Sequence, residues 1–235
     1  MKDHFQLFPG GDSGYGNALY AVFVVVSILV SLRYWLRSSK GDERLVVIYF
    51  GALAGAFVGA KLAYMIAEGW LHTGEGAWRH WVVGKSITGA LLGGFVMVEL
   101  VKKLVRYSKP TGDRFALIIP VGVIVGRLGC MSHGCCGGVL LESGVSWPAV
   151  SVEIAFNVVI WGVCYSLYRR GILLNQLFHV YLISYGGFRF VHEFMRLNPR
   201  ILLGLSGYQW ISVCMIVVGI VAFSKRMRQS NASSF

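Results

Sequence analysis

Three cations stand in stretches of sequence too apolar to solvate them. Arg127 lies in Val125-Gly126-Arg127-Leu128-Gly129, Arg189 in Tyr185-Gly186-Gly187-Phe188-Arg189-Phe190, and Lys61 in Gly59-Ala60-Lys61-Leu62-Ala63-Tyr64. A charged side chain at membrane depth is costly, so it faces a cavity or a partner. Snorkelling to the headgroups accounts for Lys85 or Arg196, but poorly for arginines inside glycine and aromatic runs. Buried cations repel one another unless an anion joins them. The internal carboxylates that could do so are Glu153 and Glu193. In a cavity open to the outside, the expected anionic partner is a phospholipid phosphate, which the planar guanidinium grips bidentately.

A second cluster follows Arg127 directly. Cys130, His133, Cys135 and Cys136 fall within seven residues. His133 is the histidine of this cluster, and imidazole suits proton transfer near neutrality. Cys130-x4-Cys135-Cys136 with His133 between could suggest zinc. A tight structural site would want a second, distant ligand pair, which is absent, so no metal and no cofactor are expected. An oxidising exterior could support a disulfide here, although bridging adjacent Cys135 and Cys136 is strained. Cys164 and Cys214 lie in apolar runs and read as small core residues.

The elements that position these residues are membrane-spanning helices. Of 235 residues, 55% are hydrophobic and 14% charged, against about 45–50% and 25% for a soluble domain. The 30 glycines beside only 5 prolines suit helices in close approach. A helix needs about 20 apolar residues to cross a bilayer. Spans are expected near 18–36, 45–67, 86–105, 115–130, 148–168, 176–194 and 208–224, giving an all-α polytopic chain of about seven transmembrane helices. The fourth run is short, so irregular backbone is expected after Cys130. The first run is too long for a signal-peptide core and its basic residues follow it, so it reads as a retained helix.

The net charge of +11 would suggest nucleic acid in a soluble protein. Here, 14 of the 22 Lys and Arg fall in four stretches, at 33–44, 102–114, 169–170 and 225–228. These alternate with the apolar runs as cytoplasmic loops do. No basic face with stacking aromatics is apparent, and no nucleic-acid partner is expected. The N-terminus then lies outside and the C-terminus in the cytoplasm, with loops near 68–85, 131–147 and 195–207 facing outward. Residues 1–235 read as one membrane-embedded domain in a bacterial inner membrane, its partner the lipid bilayer.

Several segments, in order, resemble a known family. Gly126-Arg127-Leu128-Gly129-Cys130-Met131-Ser132-His133-Gly134-Cys135-Cys136-Gly137-Gly138 is similar to the G-R-x-G-N-F-x-N-G-E-x-x-G signature of prolipoprotein diacylglyceryl transferases. Gly59 to Tyr64 resembles their G-A-R-L-G-Y segment, and Ser86 to Gly94 their S-F-H-G-G stretch. Pro148 to Glu153 resembles P-x-x-x-Y-E, Tyr185 to Arg196 resembles Y-G-x-x-R-F-x-x-E-F-x-R, and Tyr15-Gly16 an N-terminal Y-G. The resemblance implies transfer of the diacylglyceryl group of phosphatidylglycerol to the lipobox cysteine of a prolipoprotein signal peptide, releasing glycerol phosphate. Arg127, Arg189 and His133 are then the catalytic candidates. Tyr15, Lys61, Cys130, Cys135, Gly138, Glu153, Glu193 and Arg196 are the substrate-binding candidates.

The chain departs from the family pattern at chemically important places. Thr88 stands where the family has histidine, Cys130 where it has asparagine, and Cys135 where it has glutamate. A thiol does not replace a carboxylate as hydrogen-bond acceptor or counter-ion. Two alternatives therefore stay open: a phospholipid-dependent transferase with another thiol or hydroxyl acceptor, and a non-catalytic lipid-binding membrane protein.

Overall fold

The computed structural model describes residues 14–39, 41–75, 78, 81–82, 84–134 and 136–232. Its long helices are α1 (Gly14–Ser39), α2 (Glu43–Ala67), α3 (Ile87–Leu104), α4 (Gly112–His133), α5 (Ala149–Arg169), α6 (Leu177–His192) and α7 (Gly207–Ala232). Among the described residues, five segments are long and apolar enough to cross a membrane: Ala18–Ser39, Glu43–Ala67, Gly112–Ser132, Ala149–Arg169 and Gly207–Gln229. The chain is thus a polytopic helical membrane protein. The expected third and sixth spans coincide with the two remaining helices. Helix α3 carries Glu99, Lys102 and Lys103 in its last turns. Helix α6 has 16 residues, about 24 Å at 1.5 Å per residue, and runs on into a 3-10 turn at Glu193–Met195.

The helices gather into two compact units. The first holds α1, α4, α5, the opening turn of α6 and residues 194–197. At one end of it, wholly buried Trp35 packs on Phe115, ring centroids 4.5 Å apart, and Phe115 on Phe178 at 6.3 Å. The Asp113 carboxylate accepts the backbone N–H groups of Asn175 (2.6 Å) and Leu177 (3.2 Å), so a residue in the first turn of α4 caps the start of α6. Pro120, inside α4, has no N–H to offer the carbonyl of Ala116. Trp161 of α5 donates its indole N–H to the adjacent carbonyl of Leu117, at 3.0 Å.

The expectation of irregular backbone after Cys130 is corrected. Helix α4 continues for 22 residues to His133 and stops at Gly134, whose φ of 71° is the left-handed conformation that ends helices. It also begins earlier than expected, because charged Asp113 and Arg114 form its first turn. The following loop folds back on itself. Leu140 pairs with Ser146, and Gly138 pairs with Arg196.

The second unit holds α2, α3, the remainder of α6, and α7. Its centre is a backbone-to-backbone contact. Gly55-x3-Gly59 on α2 meets Gly89-x3-Gly93 on α3, and a Cβ at Gly59 would stand 2.3 Å from the Gly89 carbonyl oxygen. A Cβ at Gly93 would stand equally close to the oxygen of Gly55. Small residues at i and i+4 on both helices permit this approach, which larger side chains forbid. Between α6 and α7 lies a two-stranded hairpin, Arg200–Leu202 with Leu205–Ser206. Its turn residues Leu203 and Gly204 both have positive φ, 52° and 71°, as the tightest hairpin turns require.

Candidate functional site

Each unit buries one arginine against one glutamate. In the first, Arg127 lies on α4 two turns before its end, and Glu153 lies in the second turn of α5. Nη2 of Arg127 stands 2.9 Å from one Glu153 oxygen and 2.7 Å from the other. Glu153 is wholly buried and Arg127 is 7% exposed. Such a pair offsets its desolvation only when further hydrogen bonds hold it in place. One turn along α5, Asn157 donates to the backbone carbonyl of Glu153 at 2.8 Å and accepts from the Tyr181 hydroxyl at 3.0 Å, which steadies the helix that carries the carboxylate. Nη1 of Arg127 points to sulfur, with Cys136 Sγ at 3.4 Å and Cys130 Sγ at 3.8 Å.

Gly138 holds the return of this loop. A Cβ there would lie 2.3 Å from the carbonyl oxygen of Trp147, so only glycine allows the strands to close. The Val139 N–H then bonds to the Met195 carbonyl at 3.0 Å, and the Trp147 N–H to the Val139 carbonyl at 2.8 Å. Arg196 enters through its backbone pairing with Gly138, its side chain half-buried.

In the second unit, Arg189 sits in the last turn of α6 and donates through Nη2 to Glu193, one turn on, at 3.0 Å. Glu193 is 1% exposed, and its other oxygen accepts from Asn198 (2.5 Å) and the Ser206 hydroxyl (3.0 Å). Gln209, wholly buried near the start of α7, locks the hairpin above it. Its side-chain oxygen accepts from Arg200 at 2.7 Å and from the Ser206 N–H at 2.9 Å, while its amide donates to the Phe190 carbonyl at 3.1 Å.

The two carboxylates named from the sequence therefore each take one arginine. Local charge alone does not call for a third anion. Lys61 has a different environment. Its ammonium donates to the backbone carbonyls of Trp81 (2.9 Å), Val82 and Gly84 (3.0 Å), one for each of its three protons. Thr88 is buried, its hydroxyl 2.8 Å from that of Ser86, which in turn caps the N-terminus of α3 through Gly89 N–H. Cys135 lies outside the described residues, and Tyr15 and His133 are placed by backbone only, in the first turn of α1 and the last of α4.

Reading for charge missed the neutral groups around both pairs: Asn157 and Tyr181 beside the first, Asn198, Ser206 and Gln209 beside the second. Asn157 and Gln209 did carry a signal, since an amide within an apolar span must find partners.

The fold and these two pairs define a class: a polytopic helical membrane protein with arginines buried in glycine-rich helices and fixed by carboxylates. Residues 14–225 match the family model described as prolipoprotein diacylglyceryl transferase. The chain belongs to that family. Among similar proteins is the phosphatidylglycerol–prolipoprotein diacylglyceryl transferase of Aromatoleum aromaticum, 29% identical over 92% of this chain and 91% of the relative. Those of Bordetella avium (28%, covering 96% and 94%) and Clostridium tetani (25%, covering 94% and 95%) are similar over comparable lengths.

Proposed function

We propose that the protein transfers the diacylglyceryl group of phosphatidylglycerol to the cysteine thiol of a prolipoprotein, as the names of its relatives describe for them. It does so at the outer side of a bacterial inner membrane that it crosses seven times, N-terminus outside and C-terminus cytoplasmic. The alternation of basic stretches with apolar runs supports that topology.

One observation carries the chemistry. Arg127 is held by a buried carboxylate on one nitrogen and directs the other toward two weak sulfur acceptors. A phosphate oxygen is a far stronger acceptor for a guanidinium than sulfur. In the reaction the acceptor thiol loses its proton, and the thiolate attacks the glyceryl carbon that bears the phosphate ester. The C–O bond breaks with its electron pair going to phosphate oxygen. Arg127 stabilises the charge that develops there. His133 takes the thiol proton, since Thr88 offers no base at the family's histidine position. Arg189, oriented by Glu193, is the second catalytic arginine. Glu153 and Glu193 orient the arginines, while Gly138 and Arg196 close the loop. Tyr15, Cys130 and Cys135 are assigned to the substrate by their motifs. Lys61 is assigned to the substrate by its motif, and its ammonium is held by the carbonyls of Trp81, Val82 and Gly84.

Purified protein given phosphatidylglycerol and a lipobox peptide should yield peptide heavier by one diacylglyceryl group. Bound phosphatidylglycerol without lipidated peptide would overturn the lipoprotein assignment. The thiols at the family's asparagine and glutamate positions favour a second reading, a different thiol or hydroxyl acceptor. Lipid mass spectrometry of cells lacking the protein separates the two.

A further inference from the structure

The loop that leaves α4 puts Cys136 in a conformation that a cysteine seldom adopts. Its φ is 68°, left-handed, although glycines stand immediately after it at 137 and 138. Strain of this kind persists where surrounding structure enforces it and collects at functional sites. Here it delivers Sγ to 3.4 Å from Nη1 of Arg127, beside Cys130 Sγ at 3.8 Å on the same nitrogen. Both cysteines are partly exposed, unlike Cys164, which is wholly buried. Nη2 of the guanidinium thus holds Glu153, and the contacts of Nη1 include both sulfurs.

We propose that Cys130 and Cys136 border the anion-binding arm of Arg127, and that they form a thiol modification site which an anionic phosphate ester protects. This deepens the transferase reading and rests on it for the identity of the natural ligand. A phosphate oxygen arriving at Nη1 displaces the sulfurs and covers them. Conversely, a soft electrophile that reaches Cys136 fills the space at Nη1 and blocks the phosphate. With a maleimide, the sulfur–carbon bond forms at one alkene carbon, the thiol proton goes to the other, and nothing leaves.

The test labels the full-length protein in dodecyl maltoside with N-ethylmaleimide under three conditions: no phospholipid, phosphatidylglycerol, and inorganic phosphate. Tandem mass spectra then follow each cysteine separately, which distinguishes Cys136 from Cys135. Cys214, on the outward face of the α7 span and therefore turned toward detergent, controls for partitioning of the reagent into the micelle. The expected result is a labelling rate at Cys136 at least fivefold lower with phosphatidylglycerol, and an unchanged rate at Cys214. Equal protection by inorganic phosphate would assign the same arm to phosphate as such rather than to the lipid headgroup. Transfer activity should fall in step with Cys136 labelling, and Cys136→Ala should lose a smaller share of its own untreated activity to the reagent than the wild type does, the remainder tracking Cys130. Labelling of Cys136 at the same rate in all three conditions overturns the proposal, as does full activity in the labelled protein. Because labelling needs no turnover, protection without peptide lipidation would sink the transferase reading and leave the subsite standing.

Discussion

Replacing Glu153 by alanine leaves the Arg127 guanidinium buried with neither of the carboxylate oxygens now at 2.7 and 2.9 Å. Breaking a buried pair by removing one partner costs about 3–5 kcal/mol, because the remaining charge is uncompensated. For a chain of this size each kcal/mol corresponds to about 2–4 °C, so Glu153→Ala should melt about 6–20 °C below the wild type. Glu153→Gln keeps the shape and one acceptor oxygen and should fall between the two. The double variant Arg127→Met with Glu153→Leu removes both charges and fills similar volume. It should recover most of the loss while remaining inactive, since apolar replacement of a whole buried pair is often neutral or stabilising. Scanning fluorimetry on tryptophan emission in one detergent reads all four proteins. A melting temperature for Glu153→Ala within about 2 °C of wild type, or a double variant no better than the single, would refute the assignment of Glu153 as the buried counter-ion.

Other predictions follow from the second unit. Gly93→Val places a side chain where even a Cβ would stand 2.3 Å from the Gly55 carbonyl oxygen, so α2 and α3 must separate; overpacking of this kind costs about 1–3 kcal/mol or more, read as lower yield and melting temperature. Lys61→Met strips donors from the carbonyls of Trp81, Val82 and Gly84. Amide hydrogen exchange should rise around residues 81–84 while α5 is unaffected; equal exchange in both proteins would show that the lysine does not hold this segment. Gln209→Leu removes the acceptor shared by Arg200 and the Ser206 N–H, at about 1–3 kcal/mol for the buried groups left unmatched. It should lower stability and transfer together, whereas Gln209→Glu, which keeps the oxygen acceptor for Arg200, should retain more of both.

The arginines were legible because charge inside an apolar span has few bland explanations. Glu193 was legible as a partner as well, since it stands one helical turn from Arg189. That Glu153 rather than another group takes Arg127 depends on how α4 meets α5, 26 positions apart in sequence, and no local spacing encodes it. Lys61 resembled the other cations in sequence, yet its partners are backbone carbonyls, which have no residue signature. Cys130 and Cys136 suggested a disulfide or an incomplete metal site. Only the left-handed backbone at Cys136 and the end of α4 at Gly134 bring sulfur to the guanidinium. The glycine enrichment was readable as close helix approach, but which glycines face one another emerged only from the pairing of α2 with α3.

In the proposed reaction Arg127 holds the phosphate that leaves as the diacylglyceryl group moves to sulfur. The most direct measurement is the stoichiometry of transfer from headgroup-labelled phosphatidylglycerol to a lipobox peptide, in wild type and in Arg127→Gln. The wild type should release one labelled glycerol phosphate per lipidated peptide, and Arg127→Gln should be slower by about 100- to 1,000-fold, the effect of losing one preorganised donor to a developing anion. The substituted protein's fold is checked by its tryptophan melting curve. Lipidation by a folded Arg127→Gln at the wild-type rate, or peptide modified without release of glycerol phosphate, would contradict that role for Arg127.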